Sequence, residues 1–191
     1  MSTVGPSAER RYHRFTVDEY YRMTEAGILP EDTSTELIEG EILDVGERIP
    51  LHSGVMDHMN MILLRRTGDN ALASVKHPVR FDRYTEPIAD YSILRGRADF
   101  YSRAHPGPTD VLLMIEVAGA SLAYDRDVKA PLYAGAGIPE YWLVDLTGRR
   151  IIVHRRALDG RYSEVTTLGR GDAVALQTVP GLTLSVDEIF G

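Results

Sequence analysis

The sequence predicts an α/β fold, with a mixed central β-sheet and helices packed against it. Three observations point there. Val111 to Val117 reads Val-Leu-Leu-Met-Ile-Glu-Val, almost wholly apolar, as a strand buried on both faces would be. A helix-like segment separates this run from a second strand-like run at 140–146, a βαβ step that makes the two strands parallel. With 191 residues, 43% of them hydrophobic, the chain can bury one sizeable core.

The elements follow in order. Residues 1–14 are expected to be a flexible tail, ahead of a single domain over 15–191. Thr16 and Glu19 have capping-box spacing and Gly27 suits a helix stop, so 17–26 reads as a short helix. Residues 30–35 read as loop. Glu36-Leu-Ile-Glu-Gly-Glu-Ile-Leu43 is two short strand-like runs around Glu39-Gly40, a hairpin. Val55, Met56, Met59, Ile62 and Leu63 recur with helical period within 53–66, and Gly68 to Asn70 stops that helix. Strand candidates follow at 72–82, 88–94 and 111–118. Residues 122–135 read as a helix kinked at Pro131. A turn over Gly135–Pro139, without phosphate-loop spacing, leads into the strand 140–146, whose Trp142 belongs to the core. Residues 150–156 and 161–168 form a hairpin on Asp159-Gly160. Short strands near 173–176 and 182–185 precede the terminal Asp187-Glu-Ile-Phe190. There is no internal repeat, low-complexity stretch or linker.

Composition removes several functional classes. The chain has no cysteine, which excludes a disulfide scaffold, a thiolate zinc site, an iron–sulfur cluster and a cysteine nucleophile. No apolar run approaches the roughly 18 residues of a membrane helix, and the first residues lack a signal-peptide core; a soluble cytoplasmic protein is expected. The net charge of −7 weighs against a tight grip on nucleic acid, which usually needs a basic surface. That charge is uneven. Thr16 to Glu47 carries ten acids and one base, while Thr147 to Arg170 carries six arginines and two acids. These are either two solvated regions or segments that meet within a chain or across a dimer; Arg149, Arg150, Arg155 and Arg156 are read as a solvated rim, with contact to phosphates as the alternative.

The residue with the sharpest chemical implication is Glu116, an acid inside an apolar strand. A buried carboxylate is costly unless a cation or metal accompanies it. Asp90, near the start of Ile88-Ala-Asp-Tyr-Ser-Ile-Leu94, is a second strand acid. Two such acids can converge on a hard divalent cation, which prefers oxygen ligands and keeps several waters. Lys129, one of only two lysines with Lys76, follows the Glu116 strand closely enough to reach back and orient an attacking water or stabilise developing charge. Asp125 lies four positions earlier; alone, that pair would be an ordinary surface ion pair. The six histidines show no metal-ligand spacing, and only His52 is expected near the site.

At these residues the chain resembles the Uma-type restriction endonuclease family, a domain of unknown function within the PD-(D/E)XK phosphodiesterase superfamily. The resemblance runs through Glu36-Leu-Ile-Glu-Gly-Glu-Ile42, Glu86-Pro-Ile-Ala-Asp90, Ile115-Glu-Val117, Asp125-Arg-Asp-Val-Lys129, Tyr133-Ala, Gly137-Ile-Pro-Glu-Tyr-Trp-Leu-Val-Asp145, Pro180-Gly-Leu182 and Ile189-Phe190. It implies a restriction-endonuclease-like αβββαβ core, with an N-terminal helix and hairpin and C-terminal strands added. It makes Asp90 and Glu116 ligands of Mg2+ or Mn2+, Glu36 a further acid and His52 an auxiliary residue. Two positions depart from the family pattern. Ala89 stands where a proline usually precedes the first acid, and Ala118 stands where the superfamily lysine lies, which the resemblance moves to Lys129. The implied function is a metal-dependent endonuclease acting on nucleic acid, DNA by the resemblance, in a homodimer. Two other readings stay open: an inactive nuclease fold used for binding or assembly, and a hydrolase of small phosphodiesters.

Overall fold

The computed structural model describes residues 12–29, 35–44, 49–69 and 71–191. Most of the expected tail, the loop at 30–34 and Asn70 of the expected helix stop lie outside the described residues. Helix α1 (Val17–Glu25) starts where Thr16 Oγ1 accepts the Glu19 amide at 3.2 Å and Glu19 Oε2 accepts the Thr16 amide at 2.8 Å. Strands β1 (Thr35–Ile38) and β2 (Glu41–Asp44) pair antiparallel. Their turn places Glu39 at φ 51° and Gly40 at φ 83°, the doubly left-handed backbone of a tight hairpin. Leu37 bridges to Glu86 and fixes the hairpin against the chain before the sheet.

Helix α2 (Pro50–Arg66) begins three residues before the predicted start. Pro50 suits a first helical position, where its missing N–H costs nothing. The helix buries Val55, Met56, Met59, Ile62 and Leu63, the periodic set read from the sequence. A six-stranded sheet follows, ordered β3 (Ala71–Val75), β4 (Tyr91–Arg95), β5 (Val111–Ala118), β6 (Glu140–Asp145), β7 (Arg150–Leu158) and β8 (Arg161–Leu168). Only β5 and β6 pair parallel, as the βαβ step requires. Two expected strands shorten. The run 72–82 ends at Val75 because Lys76 turns to φ 51° and Pro78 follows. The run 88–94 enters the ladder only at Tyr91, three residues late.

The layer between β5 and β6 is not a simple kinked helix. Helix α3 (Leu122–Tyr124), a π-helical turn (Asp125–Lys129) and helix α4 (Ala130–Gly135) run end to end. The irregularity lies just upstream of Pro131, where the Ala130 amide reaches back five residues to the Asp125 carbonyl. Pro131 donates no N–H, so the backbone accommodates it by widening the preceding turn.

Strand alternation divides the core. Leu113, Ile115 and Val117 of β5 face α2, the short pair β9 (Ala173–Ala175) and β10 (Thr183–Ser185), and the terminal α5 (Val186–Phe190). Met114 and Ala118 face the α3–α4 layer. Glu116 shares their parity, and its side chain therefore points at the π turn.

Candidate active site

Asp90 and Glu116 meet where β4 and β5 stop pairing through their backbones. The regular register ends at Tyr91 opposite Ile115. One residue further the two carboxylates take over the ladder. The Val117 amide donates to Asp90 Oδ2 at 2.8 Å and the Asp90 amide donates to Glu116 Oε2 at 3.3 Å. Each acid substitutes for a carbonyl the diverging strands no longer supply. Both are buried.

Lys129 reaches back from the π turn, as the sequence predicts. Its Nζ lies 3.0 Å from Glu116 Oε1 and 3.1 Å from Glu36 Oε1, and all three side chains are at most 7% exposed. Glu36 comes from β1, and its other oxygen accepts the Ile88 amide at 3.1 Å. Tyr133 completes the cluster, its hydroxyl donating to Glu116 Oε1 at 2.7 Å. The π turn explains how these side chains share a face. Two successive four-residue steps along a plain α-helix drift by about 80°. Widening the turn takes up part of that rotation, and Asp125, Lys129 and Tyr133 are all buried. Asp125 and Lys129 are thus not the surface ion pair their spacing alone would suggest.

The far side of Asp90 is held by two residues from other elements. His52 of α2 places Nε2 3.4 Å from Asp90 Oδ2, while its Nδ1 is buried and has no hydrogen-bond partner among the described residues. Lys76, in the turn after β3, places Nζ 2.5 Å from Asp90 Oδ1. All five predicted site residues, Glu36, His52, Asp90, Glu116 and Lys129, therefore converge, from four elements and the approach to β4. Lys76 and the contact made by Tyr133 were not foreseen from the sequence. For Lys76 one signal existed: both lysines of the chain lie here.

The electrostatics set the two acids apart. Burial pushes the Glu116 carboxyl up, with help from the charges of Asp90, Asp125 and Glu36, and Lys129 only partly opposes this; it stands at about 8. Burial also disfavours charge on Asp90, but His52, Lys76 and the Val117 amide outweigh it and hold that carboxyl down at about 2. Burial disfavours the Lys129 ammonium too, yet Glu116, Glu36 and Asp125 together raise its pKa well above the ordinary lysine value. Glu36, Asp90, Glu116 and Asp125 thus cluster around the buried Lys129 and the partly exposed Lys76, and the repulsion among the acids that raises the Glu116 carboxyl is what a bound divalent cation would relieve.

Among the described residues, no three or more histidine, aspartate or glutamate side chains come together as a metal cage. The donors present are two carboxylates with spare capacity. Among the described residues, Glu116 Oε2 meets only the Asp90 amide and Asp90 Oδ1 meets only Lys76. That set fits Mg2+ or Mn2+, which bind through one or two carboxylates and keep several waters. It does not fit a closed site made wholly of protein ligands.

The C-terminal arginines are largely engaged. Arg150 pairs with Asp145 at 2.8 Å and Arg155 with Glu140 at 2.7 Å. Arg149 donates to the Phe190 carbonyl and Arg156 pairs with Glu164. They brace β6, β7 and the C-terminus.

Comparison with known proteins follows the same line. The family Uma2, described as "Putative restriction endonuclease", matches residues 17–187. A solved structure from Anabaena variabilis, described as "a putative nuclease belonging to DUF820", superposes with a TM-score of 0.70 at 18% identity, over 92% of this chain and 97% of that one. At that identity the likeness shows the fold, which is of the restriction-endonuclease-like α/β type. No curated protein matches the chain. Among the described residues, no helix is long and apolar enough to cross a membrane.

Proposed function

The chain belongs to the Uma2 family, and on that premise we propose that it is a metal-dependent endonuclease hydrolysing phosphodiester bonds of DNA. The observation that carries this reading is the convergence on Glu116: Lys129 at 3.0 Å, the Tyr133 hydroxyl at 2.7 Å and the Asp90 backbone at 3.3 Å. Asp90 and Glu116 would hold Mg2+ or Mn2+ together with water. The metal supplies a bound water of lowered pKa and neutralises charge on the scissile phosphate. Lys129, fixed between Glu116 and Glu36, orients the attacking water and stabilises the extra negative charge at phosphorus. Tyr133 fixes the rotamer of Glu116, and His52 that of Asp90. Glu36 keeps Lys129 charged and in place.

The test is cleavage of supercoiled plasmid with Mg2+ or Mn2+ by the wild type and by Asp90→Ala, Glu116→Ala and Lys129→Ala. Cleavage by the wild type with loss of at least about a hundredfold in each variant is expected, the scale on which charge-stabilising groups act. Equal activity in all four proteins would refute the assignment. A second reading, a nuclease fold retained for binding or assembly, draws on the internal partners that both carboxylates already have. A correctly folded protein that binds no Mn2+ would decide for it.

A further inference from the structure

Lys76 has no part in the reaction as described, yet it makes the closest cationic contact to Asp90. The chain has two lysines among 21 basic residues, and this one is tied to Asp90 twice. Its amide donates to the Asp90 carbonyl at 3.1 Å and its Nζ lies 2.5 Å from Oδ1. To do so it adopts φ 51°, a left-handed conformation that a long L side chain enters only at a cost. Strain of this kind persists where surrounding structure imposes it, and it gathers at functional sites.

The placement decides what the ammonium can do. Asp90 Oδ2 is already engaged by the Val117 amide and His52, so Oδ1 is the oxygen left for a cation. Lys76 sits on it. Lys129 is 7% exposed and clamped by two carboxylates, whereas Lys76 is 22% exposed with one. An incoming anion can therefore reach Lys76 first. An ammonium on a flexible stem is also well suited to changing partners, being a point charge without the fixed fork of arginine.

We infer that Lys76 is a resident counter-ion that competes with the divalent cation for Asp90 Oδ1 and is drawn off by a phosphodiester, so that metal and phosphodiester reinforce each other's binding. The inference rests on the proposed reading of Asp90 as a metal ligand. By linkage, whatever the phosphodiester adds to metal affinity the metal adds to phosphodiester affinity.

The experiment is calorimetric titration with Mn2+ of the wild type, Lys76→Met and Lys76→Gly, each with and without dimethyl phosphate, a phosphodiester too inert to be cleaved. Glycine accepts the positive φ without strain, so Lys76→Gly gives a folded protein even where methionine does not. Without dimethyl phosphate, both variants should bind Mn2+ about five- to tenfold more tightly than the wild type, the lower range of allosteric couplings. Dimethyl phosphate should tighten the wild type and leave the variants little changed. Variants that bind Mn2+ as weakly as the wild type, or more weakly, overturn the counter-ion role while leaving the metal site standing. Absence of Mn2+ heat from all three proteins overturns the metal site, and the inference with it.

Discussion

Glu116 is where opposite demands on one side chain are most visible. It sits in an apolar strand because β5 is central, and it points at the α3–α4 layer because of strand parity. The pH response follows from these two facts. Its carboxyl stands at about 8 against an ordinary 4.5. Across that window the folded protein keeps a proton the unfolded chain has released, so stability falls as pH rises from about 4.5 to about 8. Asp90 acts in a separate window. Depressed to about 2 from 3.8, it contributes stability that is present above its ordinary value and lost as pH falls toward 2. Thermal unfolding measured without divalent metal should show the midpoint declining between about pH 4.5 and about pH 8, with a flatter profile in Glu116→Gln. A wild-type midpoint that rises across this window contradicts the burial argument. At this scale the sequence was informative wherever a polar residue interrupts an apolar pattern, as at Glu116. It was silent on Lys76, which no local pattern marks. Only the scarcity of lysine beside abundant arginine singles it out.

At the scale of elements, the helices and strands were readable from period and capping, and the departures have local causes. Strand β3 ends early at the left-handed Lys76. Strand β4 begins late because the Asp90 and Glu116 carboxylates replace its last backbone partners. The π turn could not be read from spacing, because four-residue intervals look alike in a plain helix and a widened one. Its role is testable. Val128 lies in the turn, 42% exposed, and deleting it should restore α-helical winding, rotating Lys129 and Tyr133 together against Asp125 by about 100° per residue removed. The variant should keep its far-ultraviolet circular dichroism and lose Mn2+-dependent plasmid cleavage. Retained cleavage would mean that the turn has no part in placing Lys129.

For the molecule as a whole, the formal net charge of −7 first weighs against a nucleic-acid substrate, and the structure shows where some of the acids in that count lie. Glu36, Asp90, Glu116 and Asp125 are buried around two lysines, while Arg150 and Arg155 are engaged by Asp145 and Glu140. On the function proposed above, a divalent cation held by Asp90 and Glu116, with the partly exposed Lys76 beside it, would supply positive potential to a phosphate at the site. On that same proposal, these groups form one phosphodiesterase site with Lys129 as its charge-stabilising group. The most direct measurement is the rate of supercoiled plasmid cleavage at saturating Mn2+ by the wild type and by Lys129→Met. Mn2+-dependent cleavage by the wild type is expected, with a rate lower by about a hundredfold or more in the variant. Equal rates in the two proteins, or a correctly folded wild type that leaves the plasmid intact, would contradict the proposal.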